Sequence, residues 1–371
     1  LPSLDLGILE TAKRLCVDNP VRQRVPISQL AEAMLNPETY GTDIRALYVL
    51  QGNPVAQHPN TNKTIRALTS ERMEFIAVTD IFMSETAKYA DILLPASTLL
   101  ERAMVWEGSD VGFCYDPLLK HQSPKRHLAY SQRVVEPLGE SKDDFEIVCE
   151  LARKLGLEEH FPWIDAEDWI EDVLNMARED PRFPWLKDVS TERLIREGVV
   201  EVDAPEQPIS KEFSTPSGRI ELYNETLLQL GYDPMPVWRE LAESKTGSPE
   251  LFAKYPLHFM TVHYKFSINS SYANQPEILE LGENDLLMHP DDAHTRGIGD
   301  GDQVEVFNDR GRLTIRARVA EEIRPGVVRM GHAGWEKWGN TSLLTSDRLT
   351  AGYGENPTNN TCLVEVRRLE G

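Results

Sequence analysis

The sequence predicts an α/β fold in which a Rossmann-like parallel sheet is followed by a C-terminal β-barrel. Two short apolar runs, Ala46–Leu50 and Phe75–Val78, are rich in β-forming residues and flank a helix-length segment, Lys63–Thr69. A strand, a helix and a strand in this order indicate a parallel pair, because parallel strands need a long crossover connection. After residue 250 the chain changes to many short apolar segments with one or two short helices, a pattern typical of a small β-barrel.

Length and charge limit the possible functions. With 371 residues the chain is long enough for a large core and for two or more domains. Its 60 acidic and 39 basic residues give a net charge of −21, which disfavours nucleic acid and anionic membrane as partners. We find no apolar run of about 18 residues and no signal peptide, so no membrane-spanning helix is expected. The chain begins at Leu1, which suggests a processed protein or a fragment and leaves the compartment open.

The four cysteines argue against a metal site built from close cysteine pairs. They are Cys16, Cys114, Cys149 and Cys362, and no two of them form a C-x-x-C motif. Structural zinc and iron–sulfur sites generally use such pairs. We expect free and mostly buried thiols, although spacing alone leaves a disulfide open.

The N-terminal part, residues 1–210, is predicted as the α/β region. Ser28 is a suitable N-cap for a first helix over Gln29–Leu35. A later helix, Lys142–Leu155, has apolar residues at helical spacing and is followed by a glycine. Residues 101–140 lack periodicity, which predicts a long loop of functional importance.

Residues 211–250 are predicted as a proline-rich connector and residues 251–371 as the barrel domain. The segment 308–311 reads Asn-Asp-Arg-Gly, which is a hairpin signal, and 290–297 is predicted as a short helix. The candidate barrel strands are Leu257–Val262, Asp285–Met288, Gln303–Phe307, Leu313–Ala320, Val327–Met330 and Leu363–Arg367.

Polar residues follow both strands of the predicted parallel pair. Gly52, Asn53 and Pro54 come after the first strand, and Asp80 comes after the second. Ligands of parallel sheets bind beyond the carboxyl ends of the strands. Glycine lets a ligand approach the backbone, and a carboxylate can accept hydrogens from ribose hydroxyls or from the guanine edge. An ordinary turn at 52–54 and a helix N-cap at Asp80 remain alternatives, while the absence of a G-x-G-x-x-G motif disfavours a generic NAD-binding enzyme.

A longer ordered series of residues resembles a known family. It contains Gly52-Asn53-Pro54, the stretch from Asp80 to Asp91, then Leu94-Pro95-Ala96 and Glu101, and it continues in the barrel from Asp292 to Val304. This series is similar to the dimethyl sulfoxide reductase family of molybdenum and tungsten enzymes, from about Val25 onward. The resemblance implies a double-psi-type barrel and a bis-molybdopterin guanine dinucleotide cofactor that carries Mo or W.

The resemblance also implies which residues of this chain bind the cofactor. A lone histidine is more often structural and an asparagine often only forms a turn, so those alternatives stay open for single positions. The predicted cofactor-binding residues are Gly52, Asn53, Pro54, Asp80, Phe82, Thr86, Thr261, His263, Asn269, Ser270, Asn340, Asn359 and Asn360. We identify neither a catalytic residue nor a metal-ligating residue in this segment.

By this resemblance the chain is the C-terminal portion of an oxidoreductase catalytic subunit. The implied partners are the N-terminal half of the same subunit, an iron–sulfur electron-transfer subunit and a small-molecule substrate. Any iron–sulfur cluster would lie in the N-terminal half or in that partner. The region Glu101–Arg126, with Trp106, Glu107 and His121, is expected to line the substrate funnel. A non-redox hydratase or transhydroxylase and a cofactor-less structural subunit remain alternatives.

Overall fold

The computed structural model describes residues 25–109, 125–179, 186–203, 213, 215–263, 265–281, 285–332, 334–350 and 356–370. The chain divides into two compact units. One consists of Arg24–Leu93 together with Leu222–Gly371, and the other contains Leu94–Glu221. The predicted domain limits at 210 and 250 stay a prediction.

The parallel sheet lies in the N-terminal part of the chain, as predicted. Strands β1 (Ala46–Leu50) and β2 (Phe75–Asp80) pair in parallel, and β3 (Ile92–Pro95) follows β2 in the sheet order. The register pairs Ala46 with Phe75 and Leu50 with Thr79, so both strands end at the same edge.

Short helices cover one face of this sheet. Apolar residues that alternate along β1 and β2, including Val49, Ile76 and Val78, are buried in a cluster with helix residues. The helices in this part of the chain are α1 (Leu30–Leu35), α2 (Pro37–Tyr40), α3 (Pro54–Gln57) and α4 (Thr61–Leu68).

The C-terminal part forms a closed β-barrel, as the sequence predicts. Its six strands are arranged in the order β10-β8-β11-β7-β12-β9. Strand β10 alternates between exposed and buried residues, because one face lines the barrel core and the other meets solvent. The core is built from residues such as Phe259, Met288 and Val364. The strands are β7 (Leu257–Val262), β8 (Leu286–Met288), β9 (Gln303–Phe307), β10 (Arg312–Val319), β11 (Val327–Gly331) and β12 (Cys362–Arg368).

The turn signals in the barrel are also confirmed. Strands β9 and β10 are antiparallel, and the Asn308 amide donates to the Gly311 carbonyl at 3.0 Å across the predicted hairpin turn. The short helices before and between the barrel strands are α8 (Glu225–Gln229), α9 (Pro249–Lys254), α10 (Pro276–Leu281) and α11 (Pro290–His294).

The prediction of a long loop over 101–140 is wrong. Strands β4 (Met104–Ser109) and β5 (Lys125–Ser131) pair as antiparallel neighbours, and β6 (Val199–Asp203) joins β5 in the same sheet. Among the residues of this sheet whose side chains are described, Leu128 of β5 and Val200 of β6 are buried in an apolar cluster, and Val105 and Tyr130 pack against it. The segments 104–109 and 125–131 lack the strict alternation of apolar and polar residues that predicts a strand.

Three helices accompany this antiparallel sheet in the same unit. They are α5 (Asp144–Lys154), α6 (Ala166–Glu179) and α7 (Thr191–Glu197). Helix α5 confirms the predicted helix, and the Asp143 carboxylate caps it by accepting from the Phe145 amide at 2.7 Å. Cys149 of α5 is a buried free thiol, as is Cys362 of β12, whereas Cys16 and Cys114 lie outside the described residues. In the described part of the chain, no helix has both the length and the apolarity needed to cross a membrane.

Candidate functional site

The carboxyl edge of the parallel sheet brings the first group of predicted residues together. Gly52 follows β1, and Asp80 is the last residue of β2. The half-buried Asp80 accepts a hydrogen bond from the Phe82 amide at 3.3 Å, and the Phe82 side chain is exposed. Gln51, just before Gly52, has a φ of 51°, an uncommon backbone conformation for a residue with a side chain.

Asn53 and Thr86 form a buried hydrogen-bonded pair across the same edge. The Asn53 Oδ1 accepts from the Thr86 amide at 3.1 Å and from the Thr86 hydroxyl at 2.9 Å. The Thr86 Oγ1 in turn accepts from the Val55 amide at 3.0 Å. The Asn53 Oδ1 and the Thr86 hydroxyl are thus occupied by protein groups, and they hold the turn that places Gly52 and Pro54.

Helix α3 connects this edge to the barrel loops. The Asn340 amide group donates to the Val55 carbonyl at 3.0 Å, and its Oδ1 accepts from the Ser342 amide at 2.9 Å. The Ser342 hydroxyl donates to the Ala56 carbonyl at 2.9 Å. Asn340 is buried and its amide is engaged on both sides, which gives it a role in joining α3 to the barrel.

Ser270, another predicted contact, also lies against α3. Its hydroxyl accepts from the Gln57 side-chain amide at 2.8 Å, and its carbonyl accepts from the Trp335 indole at 3.0 Å. The Glu336 amide donates to the buried Glu85 carboxylate at 3.3 Å. The loops after β7 and β11 therefore meet the loop after β2 and the helix after β1.

The remaining predicted residues lie at the ends of β7 and β12. The Thr261 hydroxyl donates to the Asn360 Oδ1 at 2.7 Å, which brings this predicted pair together. The exposed Asn269 occupies a turn with a φ of 50°, and the Asn359 carbonyl accepts from the Cys362 thiol at 3.3 Å. No described contact joins Asp80 to any of these barrel residues.

His263 stands beside His332, which the sequence did not select. Strands β7 and β11 are parallel neighbours, and the two imidazole rings that follow them are 5.5 Å apart between centroids. Burial lowers the pKa of His332, and the nearby His263 lowers it further. His332 is therefore neutral near pH 7, so its ring presents one donor and one acceptor.

Trp338 is a second residue that sequence reasoning missed. Its indole N–H is buried and has no hydrogen-bond partner in the part of the chain that the structure describes. It lies between Trp335 and Gly339, in the loop that ends at Asn340. Neither Trp338 nor His332 belongs to a spaced motif. Their sequence signal is limited to the neighbouring glycines at positions 331, 334 and 339.

An ion triad fixes the barrel loop that follows Ser346. The Lys63 ammonium of α4 lies 2.6 Å from a Glu32 oxygen of α1 and 2.6 Å from an Asp347 oxygen. The Asn60 side-chain amide also donates to Asp347 at 3.2 Å. Burial alone would raise the pKa of Asp347, but hydrogen bonds from Lys63 and Asn60 hold it below its ordinary value. The triad therefore stays ionised at neutral pH.

Metal ligation is not apparent in the described residues. Among them no group of three or more His, Cys, Asp or Glu side chains converges so that it could hold a metal ion. His121 of the predicted funnel region lies outside the described residues, and Trp106, Glu107 and Arg126 are described only as strand backbone.

Two family models match the chain. Residues 23–154, which include the parallel sheet, match the model described as molybdopterin oxidoreductase. Residues 257–363, which include most of the barrel, match the model described as the molydopterin dinucleotide binding domain. Helix α3 belongs to the first match, and the residues Asn340 and Ser342 that contact it belong to the second.

Individual relatives are similar over most of this chain. The dimethyl sulfoxide/trimethylamine N-oxide reductase of Cereibacter sphaeroides is 30% identical over 94% of this chain and 45% of that protein. The acetylene hydratase of Syntrophotalea acetylenica is 30% identical over 82% of this chain and 39% of that protein. Among solved structures, acetylene hydratase from Pelobacter acetylenicus matches with a TM-score of 0.73 and 26% identity, over 92% of this chain and 46% of that one. The chain spans less than half the length of these relatives.

Proposed function

Because this chain belongs to the dimethyl sulfoxide reductase family of molybdopterin oxidoreductases, we propose that it is the C-terminal portion of a Mo- or W-dependent catalytic subunit. In this role it binds the pyranopterin guanine dinucleotides and shapes the substrate funnel. One observation carries the proposal. Helix α3 joins the carboxyl edge of the parallel sheet to the barrel loops through Asn340, Ser342 and Ser270.

The groups present at this junction fit a dinucleotide. A guanine or pterin ring displays paired donors and acceptors, and the junction offers a half-buried carboxylate at Asp80 and exposed polar side chains at His263 and Asn269. The buried indole N–H of Trp338, which has no partner among the described residues, adds a donor that an acceptor on a ligand would satisfy. When bound, the metal cofactor supplies the two-electron chemistry, as oxygen-atom or hydride-equivalent transfer.

We assign different tasks to the predicted residues. Gly52 lets a dinucleotide approach the backbone, and Asp80 holds ribose hydroxyls or the guanine edge. Asn53, Thr86 and Asn340 act by fixing the turn and α3, since their side chains already bond to protein groups. The polar groups that follow β7 and those that precede β12, in the same proposal, face the pterin rings.

The partners follow from the half of the relatives that this chain does not span. We propose the N-terminal half of the same catalytic subunit as one partner and an iron–sulfur electron-transfer subunit as another, with a small molecule as substrate. An apolar sheet face supports the first of these, because Tyr48, Leu50 and Phe75 lie exposed on the side that the helices leave uncovered. Any iron–sulfur cluster belongs to those partners.

Hydration without net redox is the second candidate function. It is favoured by the likeness to acetylene hydratase in both sequence and structure. A hydratase and an oxidoreductase are separated by the need for an external electron donor or acceptor. A cofactor-less structural subunit is the third candidate, and the match of residues 257–363 to a dinucleotide binding model disfavours it.

The deciding experiment is metal and pterin analysis of the native full-length protein that contains this chain. We expect about two pterin guanine dinucleotides per atom of Mo or W, detected by elemental analysis, by fluorescence of oxidised pterin and by released guanine nucleotide. Turnover that depends on an electron acceptor or donor would support the oxidoreductase, and turnover without one would support the hydratase. A protein that matures in a competent host without metal or pterin would overturn both enzyme proposals.

A further inference from the structure

The turn between β9 and β10 lies where two of the candidate cofactor loops end. The Arg310 Nε donates to the Leu344 carbonyl at 2.8 Å, and the Asn308 side-chain amide donates to the same carbonyl at 2.9 Å. Asn308 also donates to the Leu363 carbonyl at 3.0 Å. Leu344 closes the loop that begins at Asn340, and Leu363 follows the loop that contains Asn360. One turn therefore holds both loops.

Arg310 is fixed in place by Glu243, a residue of the segment that precedes the barrel. Their side chains form a bidentate pair, with Nη1 2.6 Å and Nη2 2.9 Å from the two carboxylate oxygens. The side chains of Arg310 and Glu243 are only 19% and 8% exposed. The second oxygen of Glu243 also accepts from the Leu363 amide at 3.1 Å. The buried charges are thus paired. Arg310 also bonds to the last residue of the loop that begins at Asn340, and Glu243 bonds to the β12 residue that follows the loop containing Asn360.

The same turn reaches the parallel-sheet part of the unit. The Asn62 side-chain amide of α4 donates to the Arg310 carbonyl at 2.8 Å. A Cβ added at Gly311 would lie 2.9 Å from that Asn62 nitrogen and 2.9 Å from the Leu343 carbonyl oxygen, so the turn is closely packed from both sides. Its position is therefore set by contacts to α4 and to the loop that begins at Asn340.

We propose that Arg310 and Glu243 are positioning residues of the guanine dinucleotide site, a statement that rests on the proposed function. They do not touch the cofactor themselves. They fix the spacing between the loop that starts at Asn340 and the loop that contains Asn360, and thereby slow the release of the dinucleotide. Lysine cannot replace Arg310, because a single ammonium group cannot bond to both carboxylate oxygens and to the Leu344 carbonyl in the same fixed geometry.

The test compares Arg310→Lys with a matched control, Arg296→Lys. Arg296 also binds a carboxylate through two nitrogens, Glu365 at 2.6 and 3.4 Å, and a backbone carbonyl, that of Asp292, at 3.0 Å. Its side chain is 16% exposed, close to the value for Arg310. Glu243→Gln is the second test variant, since it removes the charge and keeps the shape. All variants are made in the full-length protein that carries this chain.

Two measurements are made on each variant. The first is hydrogen exchange of the amides in residues 341–346 and 361–363, and the second is the rate at which bound guanine dinucleotide is released. Loss of a charged hydrogen bond corresponds to about a tenfold change or more. We expect Arg310→Lys and Glu243→Gln to raise the exchange rate and the release rate by about tenfold compared with Arg296→Lys. The comparison is made between variants that lose the same amount of thermal stability.

Each result decides between the possibilities. Equal exchange and equal release in Arg310→Lys and Arg296→Lys would overturn the proposal, because the Arg310 pair would then serve stability alone. Faster exchange with unchanged release would also overturn it, since the loops would move without affecting the ligand. A wild-type protein that holds no dinucleotide would overturn the proposed function itself, and the exchange measurement would still show whether Arg310 orders the two loops.

Discussion

At the scale of single residues, the junction depends on side chains that bond to the protein rather than to a ligand. Thr86 is fully buried, and its hydroxyl both donates to Asn53 and accepts from the Val55 amide. Removing that hydroxyl leaves the Val55 amide without its acceptor and leaves the Asn53 Oδ1 with the Thr86 amide alone. Such groups are costly because they lose water without gaining a replacement.

We therefore expect Thr86→Val, which keeps the volume, to lower the free energy of unfolding by about 1–3 kcal/mol. Thr86→Ser keeps the hydroxyl and serves as the control, with a smaller loss. Urea unfolding followed by circular dichroism measures both. Equal stability of the Val and Ser variants would show that the hydroxyl contributes nothing to the junction.

The histidine pair gives a second prediction at this scale. Since His263 is one of the two causes that lower the pKa of His332, His263→Phe is expected to raise that pKa toward its ordinary value of 6.5. Burial persists in the variant, so the pKa should remain below 6.5. An NMR titration of the His332 ring protons measures the shift, and an unchanged pKa would contradict the electrostatic coupling of the two rings.

At the scale of elements, sequence patterns were most reliable where burial follows the period of the structure. The barrel strands alternate or are fully apolar, and their predicted limits agree with the observed ones to within a residue or so, as in Leu257–Val262. Strands β4 and β5 escaped prediction because their sequences do not alternate strictly between apolar and polar residues. Sequence patterns were also limited at the candidate site. Asn340 was selected by its place in a loop, but its hydrogen bond to Val55 joins residues 285 positions apart, which no local pattern predicts.

The ion triad of Lys63, Glu32 and Asp347 gives a pH prediction for the contact between helices α1, α4 and the barrel. The hydrogen bond from Lys63 is the largest cause that holds the pKa of Glu32 below its ordinary value, and the pKa of Asp347 is also lowered. Groups with a depressed pKa stabilise the fold above their ordinary values, here 4.5 and 3.8, and lose this effect as the pH falls through the lower folded values.

We accordingly expect Lys63→Met to reduce stability at pH 6 and to flatten its decrease below pH 4.5. Urea unfolding at a series of pH values measures this. Lys254→Met is the control, because its ion pair with Asp309 is more than half exposed and should contribute little. If the stability of Lys63→Met falls as steeply below pH 4.5 as that of the unchanged protein, the triad is not the source of the acid sensitivity.

At the scale of the whole molecule, the uncovered sheet face is the feature with the clearest physical effect. Strand β1 is at an edge of the described sheet, with β2 as its neighbour. Leu50 of β1 is 48% exposed and Phe75 of β2 is 42% exposed. Exposed apolar edge strands promote association between molecules. The chain by itself is therefore expected to self-associate as its concentration rises.

The double variant Leu50→Lys and Phe75→Glu should weaken this association and leave the fold intact. Analytical ultracentrifugation over a range of concentrations measures the effect. A matched double variant at two exposed apolar residues of the other unit, Leu155→Lys and Ile195→Glu, serves as the control. Equal association of both double variants would show that the sheet face is not responsible.

The division of the chain into units has an evolutionary consequence. Arg24–Leu93 and Leu222–Gly371 belong to one compact unit, so the residues between them interrupt it in sequence without interrupting its core. The residues between Leu93 and Leu222 can therefore change in length or sequence over generations. Such a change leaves the register of the barrel strands and the contacts of α3 with the barrel loops as they are.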